Sequence, residues 1–366
     1  MQEVLPLANE LDPIRGHIPL ELREKMANIG FFGILLPVEH GGLGLGIFEY
    51  CLVTEELARA WMSVASLIAR SNQFAGMLGV AQQKVLPKLA RGESLGALAL
   101  SEPDAGSDVA SIRCRAELDG DHYVINGQKM WCTFADEADF IILVARTEPY
   151  DPAHRHSGLR RFYIPKERGG FPTGISGNRI RKIGYHGWDT WELALNDFRL
   201  PATHLIEAGE RSGFGHVVEG LAVARIHTAA RSIGLARAAL EDSLVYCQQR
   251  RQFDQPIGDF QAIRFKVATM IAKIESCRAL MYQTAADADA GLPVDTQAAM
   301  LKYLASEMSE RVTSEGIQIH GGAGYTTDFA VERHWRDARL TKIFEGTSEI
   351  MQRIISDRYL PRPLRT

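Results

Sequence analysis

No apolar stretch in this chain reaches the ~20 residues needed to cross a bilayer, so nothing in its residues calls for a membrane. The start, Met1-Gln2-Glu3-Val4, lacks the basic and apolar regions of a signal peptide, and the expectation is a cytoplasmic protein. Charge of one sign is also missing. A net charge of -4 and no run of Lys and Arg interleaved with aromatics leave no electrostatic footprint for nucleic acid. Cysteine is sparse, with five residues at 51, 114, 132, 247 and 277 and no Cys-x-x-Cys pair. That excludes a disulfide framework and a zinc knuckle, and the five read as small buried hydrophobes. His154 and His156 sit in a loop rich in Pro, Asp and Arg, with no His-Glu-x-x-His helix, so they read as solvated and no metal is expected. A glycine cluster at Gly41-Gly42-Leu43-Gly44-Leu45-Gly46 fails the dinucleotide spacing at Ile47 and follows a loop, which leaves turns between helices as its explanation.

What is present falls into three stretches. From Leu20 to about Arg91 the apolar residues recur at helical spacing. From about Leu95 to Pro201 short runs rich in β-branched and aromatic residues take over: 123–125, 129–133, 140–145, 161–164 and 192–198. Gly120-Asp121, Asn126-Gly127 and Asn196-Asp197 read as turns between them. This predicts a small antiparallel β domain. After Phe214 the helical period returns, with one stripe at Ile263, Val267, Met270, Ile271 and Ile274 and another at Leu301, Leu304, Ala305, Met308 and Val312. The expected class is α+β: an N-terminal helical domain (1–94), a middle antiparallel β domain (95–205) and a C-terminal long four-helix bundle (206–366).

One short segment carries chemistry. Phe344-Glu345-Gly346-Thr347-Ser348-Glu349-Ile350 puts a carboxylate and a small-residue turn directly ahead of a helix. Gly346 lets backbone approach a ligand closely, and Thr347 or Ser348 can cap the helix. Glu345 then suits a general base acting on a carbon acid in a closed pocket, where partial desolvation raises a carboxyl toward a pKa of about 6 to 7. The alternative is an acidic residue placed to favour a helix dipole.

Four segments in order resemble the signatures of the acyl-CoA dehydrogenase family: 101–108 (SEPDAGSD), 126–133 (NGQKMWCT), 318–325 (QIHGGAGY) and the 344–350 turn. The likeness runs from about Phe31 to Tyr359. It implies FAD as cofactor, held between the β domain and the helical bundle without a Rossmann domain. By resemblance, Leu100, Ser101, Gly106 and Ser107 form the loop that hydrogen-bonds the flavin ring, with Ser107 also meeting the CoA moiety. Trp131 is expected to stack on the isoalloxazine, or else to belong to the β-domain core. Thr133, two residues on and so on the same strand face, is expected to hydrogen-bond near N5. Arg250 and Phe253 match the family's Arg-x-x-Phe, followed by Gln261, and in the family this arginine reaches the FAD of a neighbouring subunit. Gln318 and Gly322 resemble the residues that hold the adenosine half. Thr347 and Glu349 complete the cofactor set, while Ser107, Arg225, Phe344 and Gly346 are assigned to substrate. A homodimer or homotetramer follows from the shared site.

The resemblance also implies a reaction. Glu345 takes the α-proton of an acyl-CoA thioester while the β-hydrogen leaves as hydride to flavin N5, giving a trans-2-enoyl-CoA. Electrons then pass to an electron-transferring flavoprotein. An acyl-CoA oxidase or a glutaryl-CoA-like dehydrogenase would share most of these residues. A flavin-dependent hydroxylase lacks the glutamate, a nitroalkane oxidase uses an aspartate, and a catalytically silent member lacks the base or the FAD contacts. Some branches carry the base just before the arginine matching Arg225, where this chain has Ala224.

Departures from the family pattern bear on substrate. Asp254 replaces a glycine, Leu221-Ala222-Val223-Ala224-Arg225 replaces Leu-Asp-Gly-Gly-Arg, and Phe344 replaces a tyrosine. Trp188 and Trp191 add bulk either at the β-domain edge or in the pocket. Arg70 stands where an apolar residue usually meets the fatty tail. It is expected either to find solvent or a carboxylate such as Glu55 or Glu56, or to face an acyl group with an anionic end.

Overall fold

The computed structural model describes residues 1–206 and 213–360. The N-terminal stretch folds into six short helices: α1 (Val4–Leu11), α2 (Leu20–Asn28), α3 (Ile47–Ala60), α4 (Met62–Leu67), α5 (Ala69–Ala75) and α6 (Leu86–Ala90). Residues 62–67 are all buried, because α4 lies inside the molecule and not on its surface. The first amides of α3 have no intrahelical acceptor. Asp289, from the far end of the chain, supplies one: its carboxylate accepts from the N–H of Ile47 at 2.6 Å and of Phe48 at 2.9 Å.

The middle stretch forms an eight-stranded sheet. Its strands are β1 (Gly96–Ala99), β2 (Arg115–Asp119), β3 (His122–Thr133), β4 (Phe140–Arg146), β5 (Leu159–Pro165), β6 (Ile175–Arg179), β7 (Thr190–Pro201) and β8 (Leu205–Ile206). The order is β6-β7-β3-β2-β4-β5-β8, with β1 also paired to β4. Most pairs are antiparallel, as expected, but β1 and β2 each run parallel to β4, so the sheet is mixed. β4 is buried along its whole length, which is why it reads as an unbroken apolar run and not as an alternation. Phe140 and Ile142 pack with Phe74, Leu86 and Leu89 of the N-terminal helices, while Ile141 and Leu143 join the main core.

Two expected turns are corrected. Gly120 does turn the chain between β2 and β3, with φ +63°, but Asn126-Gly127 and Asn196-Asp197 lie inside β3 and β7. They face each other where the register shifts. The Asn126 side chain donates to Asp197 Oδ1 at 3.0 Å and accepts from the Asp197 N–H at 2.9 Å. Gly127 is required there, because a Cβ would come within 2.7 Å of the Cys114 backbone. The same residue types that make hairpin turns here make a bulge.

The C-terminal stretch contains α7 (Gly213–Gln249), α8 (Gln261–Asp289), α9 (Asp295–His320), α10 (Val331–Thr341) and α11 (Ser348–Tyr359). α7, α8 and α9 run antiparallel, and α3 packs against α7 and α8. The core holds Met270, Ile274, Leu301, Ala305, Met308 and Val312 from the predicted stripes. Ile271 and Leu304 do not join it and stay exposed on the outer face. A two-stranded hairpin, β9 (Arg251–Gln252) with β10 (Gln255–Pro256), joins α7 to α8. All five cysteines are buried and unpaired, as their scatter implied.

Candidate active site

Glu345 and Gly346 are consecutive residues in the left-handed region, with φ of +54° and +92°. Gly346 adopts this at no steric cost. Glu345 does not, and a non-glycine residue held there against its preference marks a position where strain serves a site. The turn is fixed from several sides. Thr347 caps α11, its hydroxyl accepting from the Ile350 N–H at 3.3 Å, Ser348 Oγ donates to Glu307 at 2.7 Å, and Lys302 Nζ donates to the Gly346 carbonyl at 2.5 Å. Burial pushes Lys302 down to about 8, against the pull of the Glu345 carboxylate.

The carboxylate itself meets a cation that the sequence reading did not single out. Arg231 Nη2 lies 2.9 Å from Glu345 Oε1, with the arginine almost fully buried and Glu345 only 25% exposed. Arg231 is held in turn by Ser66 Oγ at 2.8 Å and Thr228 Oγ1 at 2.7 Å, and its guanidinium sits 4.6 Å from the centre of the Phe344 ring. A buried guanidinium therefore pairs with one of the two carboxylate oxygens. The other oxygen, Oε2, is buried and has no hydrogen-bond partner among the described residues. Behind Arg231, Tyr50 stacks on His227 at 5.0 Å. His227 Nε2 is 3.2 Å from the Ala65 carbonyl, and burial, aided by Arg231, pushes its pKa well below the ordinary imidazole value. The only sequence signal for Arg231 is a charged residue inside the buried run Ile226 to Leu235, a position charged groups rarely occupy unpaired.

Arg70 lies in the same cluster. Neither expected carboxylate reaches it: Glu55 pairs with Arg237 and Arg278, and Glu56 with Arg59 and Arg237. The guanidinium sits instead between rings, 5.4 Å from Trp188 and 5.7 Å from Phe134. Trp188 packs edge-on against Tyr185 at 5.4 Å, and Tyr185 against Phe344 at 6.0 Å. Trp188 thus shapes the site, whereas Trp191, whose indole donates to Asp136 at 2.8 Å, belongs to the β domain. Arg225 is buried on α7, and its Nε has no partner among the described residues. Burial lowers its pKa, and Asp295 and Glu345 oppose that shift.

The residues assigned to the flavin ring lie where β1 and β3 end. The loop after β1 carries Leu100, Ser101, Gly106 and Ser107. It is tied to β3 by the Met130 N–H, which donates to the Ser101 carbonyl at 2.8 Å. Gly106 and Ser107 are exposed, and a Cβ on Gly106 would meet open space. Beneath them lies a buried ion pair, Lys129 Nζ to Glu102 Oε1 at 2.7 Å. Trp131 is 60% exposed, which removes it from the β-domain core. Its φ is +63° and the β3–β7 register shifts around it. The simple alternation that put Trp131 and Thr133 on one face is interrupted there. Thr133 Oγ1 lies 3.1 Å from Thr190 Oγ1, which also accepts from Lys182 Nζ at 3.1 Å. Lys182 donates further to the Trp188 carbonyl at 2.9 Å, so these residues adjoin the Arg70 cluster. An exposed indole, an open glycine loop and paired hydroxyls fit a flat, polar-edged ring.

The remaining assigned residues are elsewhere. Arg250, Phe253, Gln261, Gln318 and Gly322 are exposed at the opposite end of the bundle, where Tyr246 stacks on His320 at 4.2 Å. Glu349 is exposed in the first turn of α11, away from the buried cluster. Among the described residues no group of His, Cys, Asp and Glu could hold a metal ion, and no helix is long and apolar enough to cross a membrane.

Comparison with known proteins places this geometry. Three family profiles match in chain order: acyl-CoA dehydrogenase, N-terminal domain (1–93), middle domain (97–198) and C-terminal domain (211–360). A 3-(aryl)acrylate reductase of Clostridium sporogenes is 36% identical over 98% of this chain and 95% of its own length. A (2S)-methylsuccinyl-CoA dehydrogenase of Cereibacter sphaeroides is 38% identical over 94% of this chain and 64% of its own. Among solved structures, a chain from work on the electron transferring flavoprotein of Acidaminococcus fermentans superposes with TM-score 0.91 at 35% identity, covering 99% of this chain and 95% of that one. A glutaryl-CoA dehydrogenase of Mycobacterium smegmatis in complex with FADH2 gives TM-score 0.90 at 27% identity, over 100% and 92%. The chain therefore belongs to the acyl-CoA dehydrogenase family, FAD-dependent oxidoreductases acting on CH–CH groups.

Proposed function

We propose that this protein converts an acyl-CoA thioester to the trans-2-enoyl-CoA, with Glu345 as the base that removes the α-proton. One observation carries the reading: Glu345 is held in a left-handed turn, with Oε1 tethered to Arg231 and Oε2 buried and without a partner among the described residues. A base fixed by one oxygen and free at the other is oriented for a single proton. Bound FAD supplies the acceptor for the β-hydrogen and its electron pair. Leu100, Ser101, Gly106, Ser107, Trp131 and Thr133, with Thr347 and Glu349, would hold the cofactor, and Arg225, Ser107, Phe344 and Gly346 the thioester. The α-proton goes to Glu345, the β-hydrogen leaves with its electrons, and the Cα–Cβ single bond becomes double. An electron-transferring flavoprotein is the proposed acceptor, supported by the likeness to a chain from work on the electron transferring flavoprotein of Acidaminococcus fermentans.

Arg250, Phe253, Gln261, Gln318 and Gly322 would act from a second copy. Support comes from their exposure far from Glu345 and from apolar side chains left bare nearby and along the outer helices: Phe253 is 89% exposed and Phe265 62%. Arg250→Ala is then expected to lower flavin content and dissociate the oligomer together. Flavin absorbance per chain and sedimentation of the same sample check this; an intact oligomer with full flavin would remove the shared site.

The reading as a whole is tested by mixing the flavoprotein without air with straight, branched, aryl and dicarboxylic acyl-CoA thioesters and following loss of flavin absorbance. At least one class bleaches the flavin, and an electron-transferring flavoprotein restores it faster than air. If none bleaches it, the assignment is wrong.

A further inference from the structure

We infer that Arg70 recognises an anionic end of the acyl group, so that the substrate is the CoA monothioester of a short dicarboxylic acid. This rests on the reading above and adds its substrate class.

The argument is one of charge and donors. Arg70 is partly buried against Trp188 and Phe134 and shares a side-chain hydrogen bond with Tyr185, while its Nε has no hydrogen-bond partner among the described residues. No carboxylate is paired with it, although Glu345 Oε2 and Asp337 Oδ2 have no hydrogen-bond partner among the described residues. Glu55 and Glu56 hold Arg237, Arg278 and Arg59, Asp337 accepts from the Tyr185 N–H at 2.6 Å, and Glu345 is bound to Arg231. Lys182, on the same side, spends its ammonium on a carbonyl and a hydroxyl. Arg70 thus has no carboxylate of its own among the described residues. Desolvation lowers the pKa of Arg70, and Arg231 adds to that, while Tyr185 and Glu345 pull the other way.

A hydrocarbon tail entering here would strip water from a guanidinium and return nothing. A carboxylate would satisfy it with paired, charge-assisted hydrogen bonds, and the flanking rings already lend it their faces. Length follows from proximity. Arg70 lies against Trp188, Trp188 against Tyr185 and Tyr185 against Phe344, the neighbour of Glu345, so the anion stands a short acyl chain away from the α-carbon that Glu345 addresses.

The test compares succinyl- and glutaryl-CoA with butyryl- and valeryl-CoA, of the same carbon number without the second carboxylate, on the FAD-loaded enzyme. Wild type is expected to favour the acidic thioesters in kcat/KM by about 100-fold or more. Arg70→Met is expected to lower that preference about 100-fold, chiefly through the acidic thioesters, and Arg70→Lys to restore part of it. Binding to Glu345→Gln, followed by perturbation of the flavin spectrum, reads the same preference without turnover. If Arg70→Met fails to fold with flavin, the Arg70→Lys and wild-type ratios decide alone. Equal rates on acidic and neutral thioesters overturn the inference while leaving the dehydrogenase reading intact. So does an Arg70→Met enzyme that keeps its preference but shifts the flavin potential, since the charge would then serve the cofactor. Failure of every thioester to bleach the flavin strikes the earlier reading instead.

Discussion

Glu345→Gln is expected to lower kcat by at least about 10² to 10⁴, the range a positioned general base contributes, while flavin content and thioester binding persist. Glutamine is the sharp substitution here. Its amide oxygen can still accept from Arg231, so the buried guanidinium is not orphaned, and its backbone meets the same demand at φ +54° as glutamate does. Only the ability to take a proton is lost. Stopped-flow bleaching under substrate excess measures the step directly. Bleaching within about tenfold of wild type would place the base elsewhere, and Ala224 at the other candidate position cannot be it.

The largest stability effect is expected from Glu102→Leu. Lys129 is fully buried and Glu102 only 8% exposed, and the carboxylate also accepts from the N–H groups of Arg113 at 2.7 Å and Cys114 at 2.9 Å. Removing one partner of such a pair leaves an uncompensated charge, at a cost of about 3 to 5 kcal/mol. Because Lys129 Nζ also donates to the Leu100 carbonyl at 3.0 Å, the loop assigned to the flavin loosens with it, and cofactor retention falls. Glu102→Gln, which keeps acceptors for the two amides, is expected to cost less. The double variant Glu102→Leu with Lys129→Met recovers only part of the loss, since the backbone amides stay unpaired. Urea midpoints for wild type, Glu102→Leu, Lys129→Met and the double variant give the cycle; additive single costs would show that the pair is not coupled.

The sequence made some of this plain and hid the rest for physical reasons. The turn at Glu345 was legible because a cap, a glycine and a carboxylate are local devices, readable within a few residues. Long helices and a middle sheet were legible from period. The bulge at Asn126-Gly127 against Asp197 was not, because the dipeptides that permit positive φ are the same whether the chain reverses or merely kinks. Ile271 and Leu304 fit their stripes by spacing and still face outward, since a stripe does not say how wide the facing helix is. Arg231 and Arg70 are single cations in helices, and only the tertiary fold shows that one meets the base and the other meets no acid at all.

The capping of α3 by Asp289 has a consequence for how the chain is made. The two groups are 242 residues apart, so at roughly 5 to 20 residues per second the ribosome delivers the acceptor about 12 to 50 s after the amides that need it. During that interval the start of α3 has its N–H groups turned to water and its bundle-facing side without the helices it packs against. The N-terminal third must therefore wait, partly assembled, for the last long helices to emerge, and synthesis exposes an apolar helix face to chaperones long before the final residues close over it.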